Sequence, residues 1–268
     1  TARNYVGSYS QVRRIVSTLV IPYLLVETTL QMLTKHYDGD PEHLMILSPQ
    51  WLGWFLAALV VWRLTTPIWR TLRYPISVSV VISLTAGLIE IPNVLALPKV
   101  LGLLPFYVLG LHFNQEIFDR LARPSIRVAS WVILTLTFAA SLTWAHDWNE
   151  RWPKAWMLWK HHYNEAPLSV DAIEGMVTRG WFLTIAFVLT MAALAVIPRS
   201  RSWTTRFGER TLYAYLLHGY VILFLDRQFD LWSRIEPFGI WAVLGCTVAG
   251  IILANLLMTA LVRRIFRP

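Results

Sequence analysis

Three polar side chains recur at helical spacing inside an apolar run near the end of the sequence. Thr211, Tyr215 and His218 are separated by four and three residues, so a helix places them along one face. His218 lies about eight residues, or roughly 12 Å, into this run. A histidine at that depth is expected to be neutral, and a neutral imidazole can accept a proton or donate a hydrogen bond. The spacing also fits an interhelical hydrogen bond that only holds a bundle together.

Glu27 is a second polar residue in an apolar setting, about 13 residues into the first apolar run. An isolated carboxylate in lipid must pair with a cation, stay protonated or line a wet cavity. A functional role is therefore expected for Glu27. Glu90 and Lys99 fall near the ends of apolar runs, where long side chains reach the interface. Trp54 fits an aromatic belt or a cavity wall.

The elements that must position these residues are membrane-spanning helices. Hydrophobic residues make up 56% of the 268 positions and charged residues only 15%, fewer than in soluble domains. A span needs roughly 20 mainly apolar residues, and strand-like alternation is absent from the sequence. The sequence predicts an all-α, polytopic transmembrane bundle of about eight spans, near residues 15–34, 50–66, 75–92, 97–113, 127–145, 179–198, 210–226 and 238–262.

The basic residues fall in alternate loops of this arrangement. The formal net charge is +8, and arginines cluster before the first predicted span and after the second, fourth, sixth and eighth. The positive-inside rule therefore predicts that both termini are cytoplasmic. The sequence contains no Lys/Arg-rich helix and no RNA-binding signature, so no nucleic-acid partner is expected. Its histidines and carboxylates lack a persuasive ligand spacing, so no metal site is predicted.

The one long predicted loop, near residues 146–178, is rich in tryptophan. Trp152, Trp156 and Trp159 are separated by four and three residues, which places them close to one helical face. This pattern predicts a helix that lies in the membrane interface, and a platform for stacking sugars is the alternative.

Four segments resemble one known family. GERTLYAYLLHG at 208–219, which follows the basic loop IPRSRSW at 197–203, resembles the C-terminal signature of the membrane-bound acyltransferase-3 family. The resemblance is greatest to the branch of fucose 4-O-acetylase-like acetyltransferases. Three further matches keep the family's order: RRIVSTLVIPYLL at 13–25, WFLAALVVWRLTTP at 54–67 and LPFYVLGL at 104–111. The resemblance implies one transmembrane acyltransferase-3-like domain over residues 1–268 and a family fold of about ten helices.

The resemblance also implies an activity. Such proteins move an acyl group, usually acetyl, from cytoplasmic acetyl-CoA to a hydroxyl of an envelope carbohydrate or glycolipid, and the expected location is a bacterial plasma membrane. The family's first helix carries a basic residue and a histidine with ten residues between them, and this histidine is taken as the catalytic base. That helix is not in this sequence. The first two helices are therefore expected to be missing, and the chain as given is expected to be inactive.

Site residues follow from the motifs and the resemblance together. His218 and Tyr215 are predicted to be catalytic residues that line the acyl-transfer cavity. The residues predicted to bind the phosphates of acetyl-CoA are Arg13, Arg14 and Arg210. The residues predicted to contact the acceptor are Glu27, Trp54 and Lys99, and Lys99 stands where relatives commonly carry arginine.

Two other classes of function stay open. A degenerate family member could act as a membrane scaffold or partner subunit, and this class is favoured if the chain naturally starts near Thr1, because the family's base is then missing. A transporter or flippase would need a continuous polar path, whereas the sequence shows only scattered intramembrane charges.

Overall fold

A computed structural model describes residues 8–38, 46–49, 52–151, 155–199 and 211–259. Every regular element in these ranges is helical, so the predicted all-α class is confirmed for the part of the chain described. The α-helices are α1 (Tyr9–Ile15), α2 (Ile21–Asp38), α3 (Gly53–Thr71), α4 (Pro75–Thr85), α5 (Leu97–Gly102), α6 (Leu104–His112), α7 (Gln115–Leu121), α8 (Pro124–Arg151), α9 (Ala155–Leu158), α10 (Ala172–Val196), α11 (Thr211–Phe229), α12 (Leu231–Ile235) and α13 (Ile240–Leu257).

The chain divides into two compact units. Unit 1 comprises Thr1–Ile21, Leu47–Pro49 and Trp54–Ile197, and unit 2 comprises Pro22–Ile46, Gln50–Gly53 and Pro198–Pro268. In unit 1, α10 packs along α8, and α4 packs against α5 and α6. In unit 2, α11 packs against α13. An apolar cluster of Val26, Leu30 and Leu223 joins α2 to α11 within that unit.

A π-helical turn, Val16–Val20, connects α1 to α2 without ending the helix. Its wider geometry is visible in the bond that the Ile21 N–H donates to the carbonyl of Val16, five residues back. The turn immediately precedes Pro22, which has no N–H for the helical ladder. Single π-turns are a common way to accommodate such an interruption.

A bend of 63° separates the α5 region from α6. Pro105 is the second residue of α6, and it cannot donate the backbone bond that would continue α5 into α6. The bend leaves the Gly102 carbonyl accessible, and Ser83 Oγ of α4 donates to it at 2.6 Å. The short helices α4, α5 and α6 thus depend on one another for their polar contacts.

Eight helical segments occupy the positions of the eight predicted spans. Among the residues described, four helices are long and apolar enough to cross a membrane, and the bent pair Val94–Gly102 with Leu104–His112 would make a fifth. These four are Tyr9–Tyr37, Pro124–Ser141, Ala172–Val196 and Ile240–Leu257. Several apolar helices therefore define a membrane protein, while the number of eight crossings and the cytoplasmic termini stay predictions.

The interfacial helix predicted from the tryptophan spacing is wrong for the two tryptophans whose side chains are described. Trp156 and Trp159 are only 4% and 6% exposed and are packed inside unit 1. The Trp156 ring stacks on Phe182 of α10, with ring centroids 6.2 Å apart. Trp152 lies outside the described residues. The prediction failed because the helix there, α9, ends at Leu158 and Trp159 lies beyond it with a φ of 53°, so the spacing does not correspond to one helical face.

Candidate functional site

The helix α11 places Tyr215 and His218 on one face, as the spacing predicted. Their ring centroids are 6.0 Å apart. His218 Nδ1 lies 2.9 Å from the Ala214 carbonyl oxygen, one turn back on the same helix. Because a carbonyl oxygen can only accept, Nδ1 carries the proton of this bond, and Nε2 of the neutral ring is then an acceptor. The helix thereby fixes which nitrogen of His218 could receive a substrate proton.

The Tyr215 hydroxyl has its hydrogen-bond acceptor within unit 2. The hydroxyl donates to the carbonyl of Leu52, immediately before α3. This bond ties α11 to the Leu52–Gly53 backbone. Tyr215 therefore supports a backbone segment, and its catalytic role stays a prediction.

Glu27 reaches the same backbone segment from α2. It is fully buried, and Gln31 Nε2, one turn along α2, donates to its Oε1 at 2.7 Å. A Cβ added at Gly53 would lie 2.1 Å from Glu27 Oε2, so glycine alone gives the carboxylate this room. Tyr215 and Glu27, far apart in the sequence, are thus brought to one two-residue stretch of backbone.

A second polar contact joins α2 to α11 within unit 2. The hydroxyls of Thr29 and Tyr220 are hydrogen-bonded, and Tyr220 also donates to the carbonyl of Val26 at 3.2 Å. Hydroxyls among apolar helices need such partners because an unpaired polar group in an apolar setting is costly. The two helices that carry Glu27 and His218 are therefore held by hydrogen bonds as well as by apolar packing. Sequence reasoning missed Gln31, although it follows Glu27 by one helical turn, and Tyr220, which lies on a different face of α11 from His218.

The two acceptor-binding candidates of unit 1 contact each other. Lys99 Nζ lies 5.0 Å from the ring centroid of Trp54, a cation–π geometry. Trp54 is half-buried beside a core that includes Trp62 and Val100. The sequence predicted both residues but not their contact, which depends on how α3 and α5 pack.

Two of the segments that carry the family resemblance also meet in unit 1. Thr66 of the 54–67 segment shares a 2.6 Å hydrogen bond with the hydroxyl of Tyr107 in the 104–111 segment. The Tyr107 ring stacks on Trp62 at a centroid distance of 5.4 Å. Trp62 Nε1 in turn donates to the Val100 carbonyl at 3.0 Å. The polar side chains of these two motifs therefore find their hydrogen-bond partners within unit 1.

The residues predicted to bind acetyl-CoA lie near the start of the chain. Arg13 and Arg14 are consecutive, exposed residues of the last turn of α1. Ser17 and Thr18 donate from their side chains to the Arg14 carbonyl oxygen. Two exposed guanidinium groups side by side can bind phosphate oxygens through charge-assisted hydrogen bonds. The third candidate, Arg210, lies outside the described residues.

Arg179 is a buried cation that sequence reasoning missed. It lies on α10 and is 3% exposed. Its Nη2 donates to the His161 carbonyl at 3.0 Å, and its guanidinium carbon lies 4.6 Å from the centre of the Tyr163 ring. The signal in the sequence was a single arginine near the start of a long apolar run, which is costly in lipid unless protein surrounds it.

A family model described as an acyltransferase domain matches residues 5–259. The match covers both units and nearly the whole sequence, and the chain belongs to this acyltransferase family. Its membership and its apolar helices make it a membrane O-acyltransferase. Neither a curated protein nor a solved structure matches the chain.

Proposed function

We propose that the protein moves an acetyl group from cytoplasmic acetyl-CoA to a hydroxyl of an envelope carbohydrate or glycolipid in a bacterial plasma membrane. The family match supports acyl transfer, and the four motif segments support the fucose 4-O-acetylase-like branch. The observation that carries the proposal to a residue is the hydrogen bond from His218 Nδ1 to Ala214, which leaves Nε2 as an acceptor on the motif helix.

The proposed reaction is an attack of the acceptor hydroxyl oxygen on the thioester carbonyl carbon of acetyl-CoA. A new C–O bond forms, the carbonyl oxygen becomes an oxyanion, and the C–S bond then breaks to release CoA. The proton of the hydroxyl must pass to a base before it reaches the CoA thiolate. His218 Nε2 accepts the hydrogen bond of that hydroxyl and so orients it for attack. Tyr215 and Glu27 act as positioning residues through the Leu52–Gly53 backbone.

Acetyl-CoA brings several negative charges, which require cations. Arg13 and Arg14 are proposed to bind its phosphates, because two adjacent guanidinium groups offer forked donors in the geometry that phosphate accepts. Arg210 is proposed to join them from the basic stretch before α11. Trp54 and Lys99 are proposed to contact the acceptor, since an aromatic face beside an ammonium group can stack on a sugar ring and bind its hydroxyls.

The test measures release of the CoA thiol from acetyl-CoA by the purified full-length protein in detergent, with extracted envelope polysaccharide as the acceptor. We expect His218→Ala to lower kcat at least about tenfold, since a hydrogen bond worth about 1.4 kcal/mol changes a rate by that factor. His112→Ala is the matched control. His112 Nδ1 makes the same 2.9 Å contact to a carbonyl one turn back on α6, and the control is expected to retain activity.

A second arm of the same assay tests the cofactor residues. Arg14→Gln is expected to raise the KM for acetyl-CoA about tenfold or more, because charged hydrogen bonds contribute about 1.5–3 kcal/mol. The exposed residue Arg234 on α12 supplies the control Arg234→Gln, whose KM should not change. Equal kcat for wild type and His218→Ala would contradict the role of His218. Flux of glycolipid across vesicles without release of CoA would support a transporter instead.

A further inference from the structure

A pocket in unit 1 is lined by residues other than those proposed for acyl transfer. Its volume is about 230 Å³. The stretch after α4, the start of α5, the segment after α9 and the residue Arg179 of α10 form its walls. The charged and titratable residues that line it are Glu90, Lys160, His161, His162, Glu165 and Arg179.

The segment that carries four of these residues is held firmly against α4 and α10. The Tyr163 hydroxyl donates to the Leu84 carbonyl at 2.6 Å, and the Tyr163 N–H donates to the Gly87 carbonyl at 2.8 Å. Burial raises the pKa of Tyr163, and nearby Arg179 opposes that shift, so the hydroxyl remains a donor at neutral pH. A Cβ at Gly87 would lie 2.4 Å from both Tyr163 and Arg179, so the wall is closely packed. These contacts therefore fix the position of the pocket wall.

The positive charge of Arg179 has no described carboxylate against it. The guanidinium lies over the rings of Trp159 and Tyr163, and its Nε has no hydrogen-bond partner among the described residues. The two ion pairs found between described side chains both belong to Glu165, with His161 and His162. A buried, charged donor without a partner is costly. An anion that enters the pocket would remove that cost.

Besides Arg179 and the two histidines, the pocket is lined by one lysine and two carboxylates. The hydrogen bond from His161 lowers the pKa of Glu165, and His161 Nδ1 lies 3.1 Å from this carboxylate, so the carboxylate already has a partner inside the segment. Lys160 is exposed at the pocket and lies near enough to Lys99 for the two ammonium groups to repel each other. Glu90 is the remaining carboxylate in the wall, and it is exposed to solvent. The buried Arg179 and the exposed Lys160 thus supply two cations to a small volume.

We propose that this pocket binds a carboxylate or phosphate group of the acceptor. The identity of the ligand as the acceptor rests on the proposed function, whereas the anion site rests on Arg179 and its surroundings. Its volume is below the roughly 300–1,000 Å³ of pockets for drug-sized ligands. It therefore suits one charged sugar unit. Arginine suits this role because its planar fork matches the oxygens of both groups. The alternation of basic loops places the 155–171 segment outside the membrane, where an envelope acceptor is available.

The test is calorimetric titration of the purified protein in detergent with glucuronate, glucose 1-phosphate and neutral glucose. We expect one of the two anions to bind at least about tenfold more tightly than glucose, and the preferred anion identifies the carboxylate or the phosphate. Arg179→Gln should weaken that binding about tenfold or more, and Arg179→Lys should weaken it less. Lys160→Gln should weaken it several-fold. Arg234→Gln, in unit 2, should leave it unchanged.

The outcomes separate this proposal from the proposed function. Equal affinity for glucose and both anions, or no binding of either anion by folded protein, would overturn the anion site. Unchanged anion affinity in Lys160→Gln and Arg179→Gln would also overturn it. If Arg179→Gln does not fold, the anion affinity of Lys160→Gln tests the site instead. The Lys160 side chain is exposed, so its replacement should not disturb folding. Selective anion binding by a protein that does not turn over acetyl-CoA supports the pocket and contradicts acyl transfer.

Discussion

At the scale of the residue, helix geometry decides what a histidine can do. His218 donates from Nδ1 to a carbonyl of its own helix, so the chemistry of the ring is confined to Nε2. The neighbouring tyrosine illustrates the opposite case, because its proton is already donated to Leu52. The same type of argument applies to Glu27, whose position depends on a backbone without a side chain at Gly53.

We predict that Gly53→Ala destabilises the protein. The added Cβ would lie 2.1 Å from Glu27 Oε2 and 3.2 Å from the Tyr23 ring. Glu27 cannot move away at low cost, because it is fully buried and bonded to Gln31. The expected cost is that of overpacking, about 1–3 kcal/mol. The measurement is the midpoint of thermal unfolding in detergent, followed by tryptophan fluorescence.

Gly110→Ala is the control for this prediction. Gly110 also lies in a helix, but an added Cβ would find nothing within 4 Å. Replacing a helical glycine in open space with alanine is expected to be neutral or stabilising by up to about 1 kcal/mol. Equal unfolding midpoints for the two variants would show that Glu27 is not fixed against Gly53.

At the scale of the element, Tyr163 makes several of the contacts that attach the 155–171 segment. The Tyr163 ring lies between Gly87 and Gly175, and its backbone N–H and C=O are both bonded, to Gly87 and Val170. Its hydroxyl reaches Leu84 at the end of α4. The segment is therefore held by close contact with two glycines rather than by a helix of its own.

We predict that Gly175→Ala releases this segment. The Cβ would lie 2.3 Å from the Tyr163 ring, and the ring cannot shift without losing the bond from its hydroxyl. Limited trypsin digestion should then cut faster after Lys160, which is exposed within the segment. Gly180→Ala on the same helix is the control, because its nearest neighbour, Leu84, would be at an ordinary 3.8 Å. Equal digestion rates in the two variants would refute this account.

The helices themselves could be predicted from the sequence, whereas their contacts could not. Apolar length and alternation of basic loops placed eight helical segments, because lipid imposes those patterns locally along the chain. The cation–π contact of Lys99 with Trp54 and the burial of Arg179 depend on packing between distant segments. For the same reason, the tryptophan spacing in the 155–171 segment could not show that Trp156 and Trp159 are buried against protein.

At the scale of the whole molecule, the number of membrane crossings can be measured with three cysteines. We predict eight crossings with both termini cytoplasmic. In a Cys246→Ser background, Ser169→Cys and Ser233→Cys should react with an impermeant maleimide in intact cells. Arg73→Cys should react only after the membrane is permeabilised. The three sites lie between α9 and α10, in α12, and between α3 and α4.

The same three sites discriminate the other crossing counts. With a cytoplasmic N-terminal end, five crossings would expose positions 169 and 73 and protect 233. Four crossings would expose positions 233 and 73 and protect 169. An external N-terminal end inverts each pattern, and all six patterns differ. Either alternative count would contradict the topology inferred from the basic loops.

The contrast between α4 and α13 bears on how the protein is inserted during synthesis. None of the residues of α13 is buried, and its polar side chains Thr247 and Asn255 donate to carbonyls of their own helix. Such a helix can enter the bilayer from the translocon without a partner. The 11 residues of α4 extend only about 16 Å, roughly half of the hydrocarbon core. Ser83 of α4 finds its acceptor only once the Gly102 carbonyl has been synthesised. Residues 75–85 must therefore wait at the translocon, or in the lipid interface, until the chain that follows them emerges.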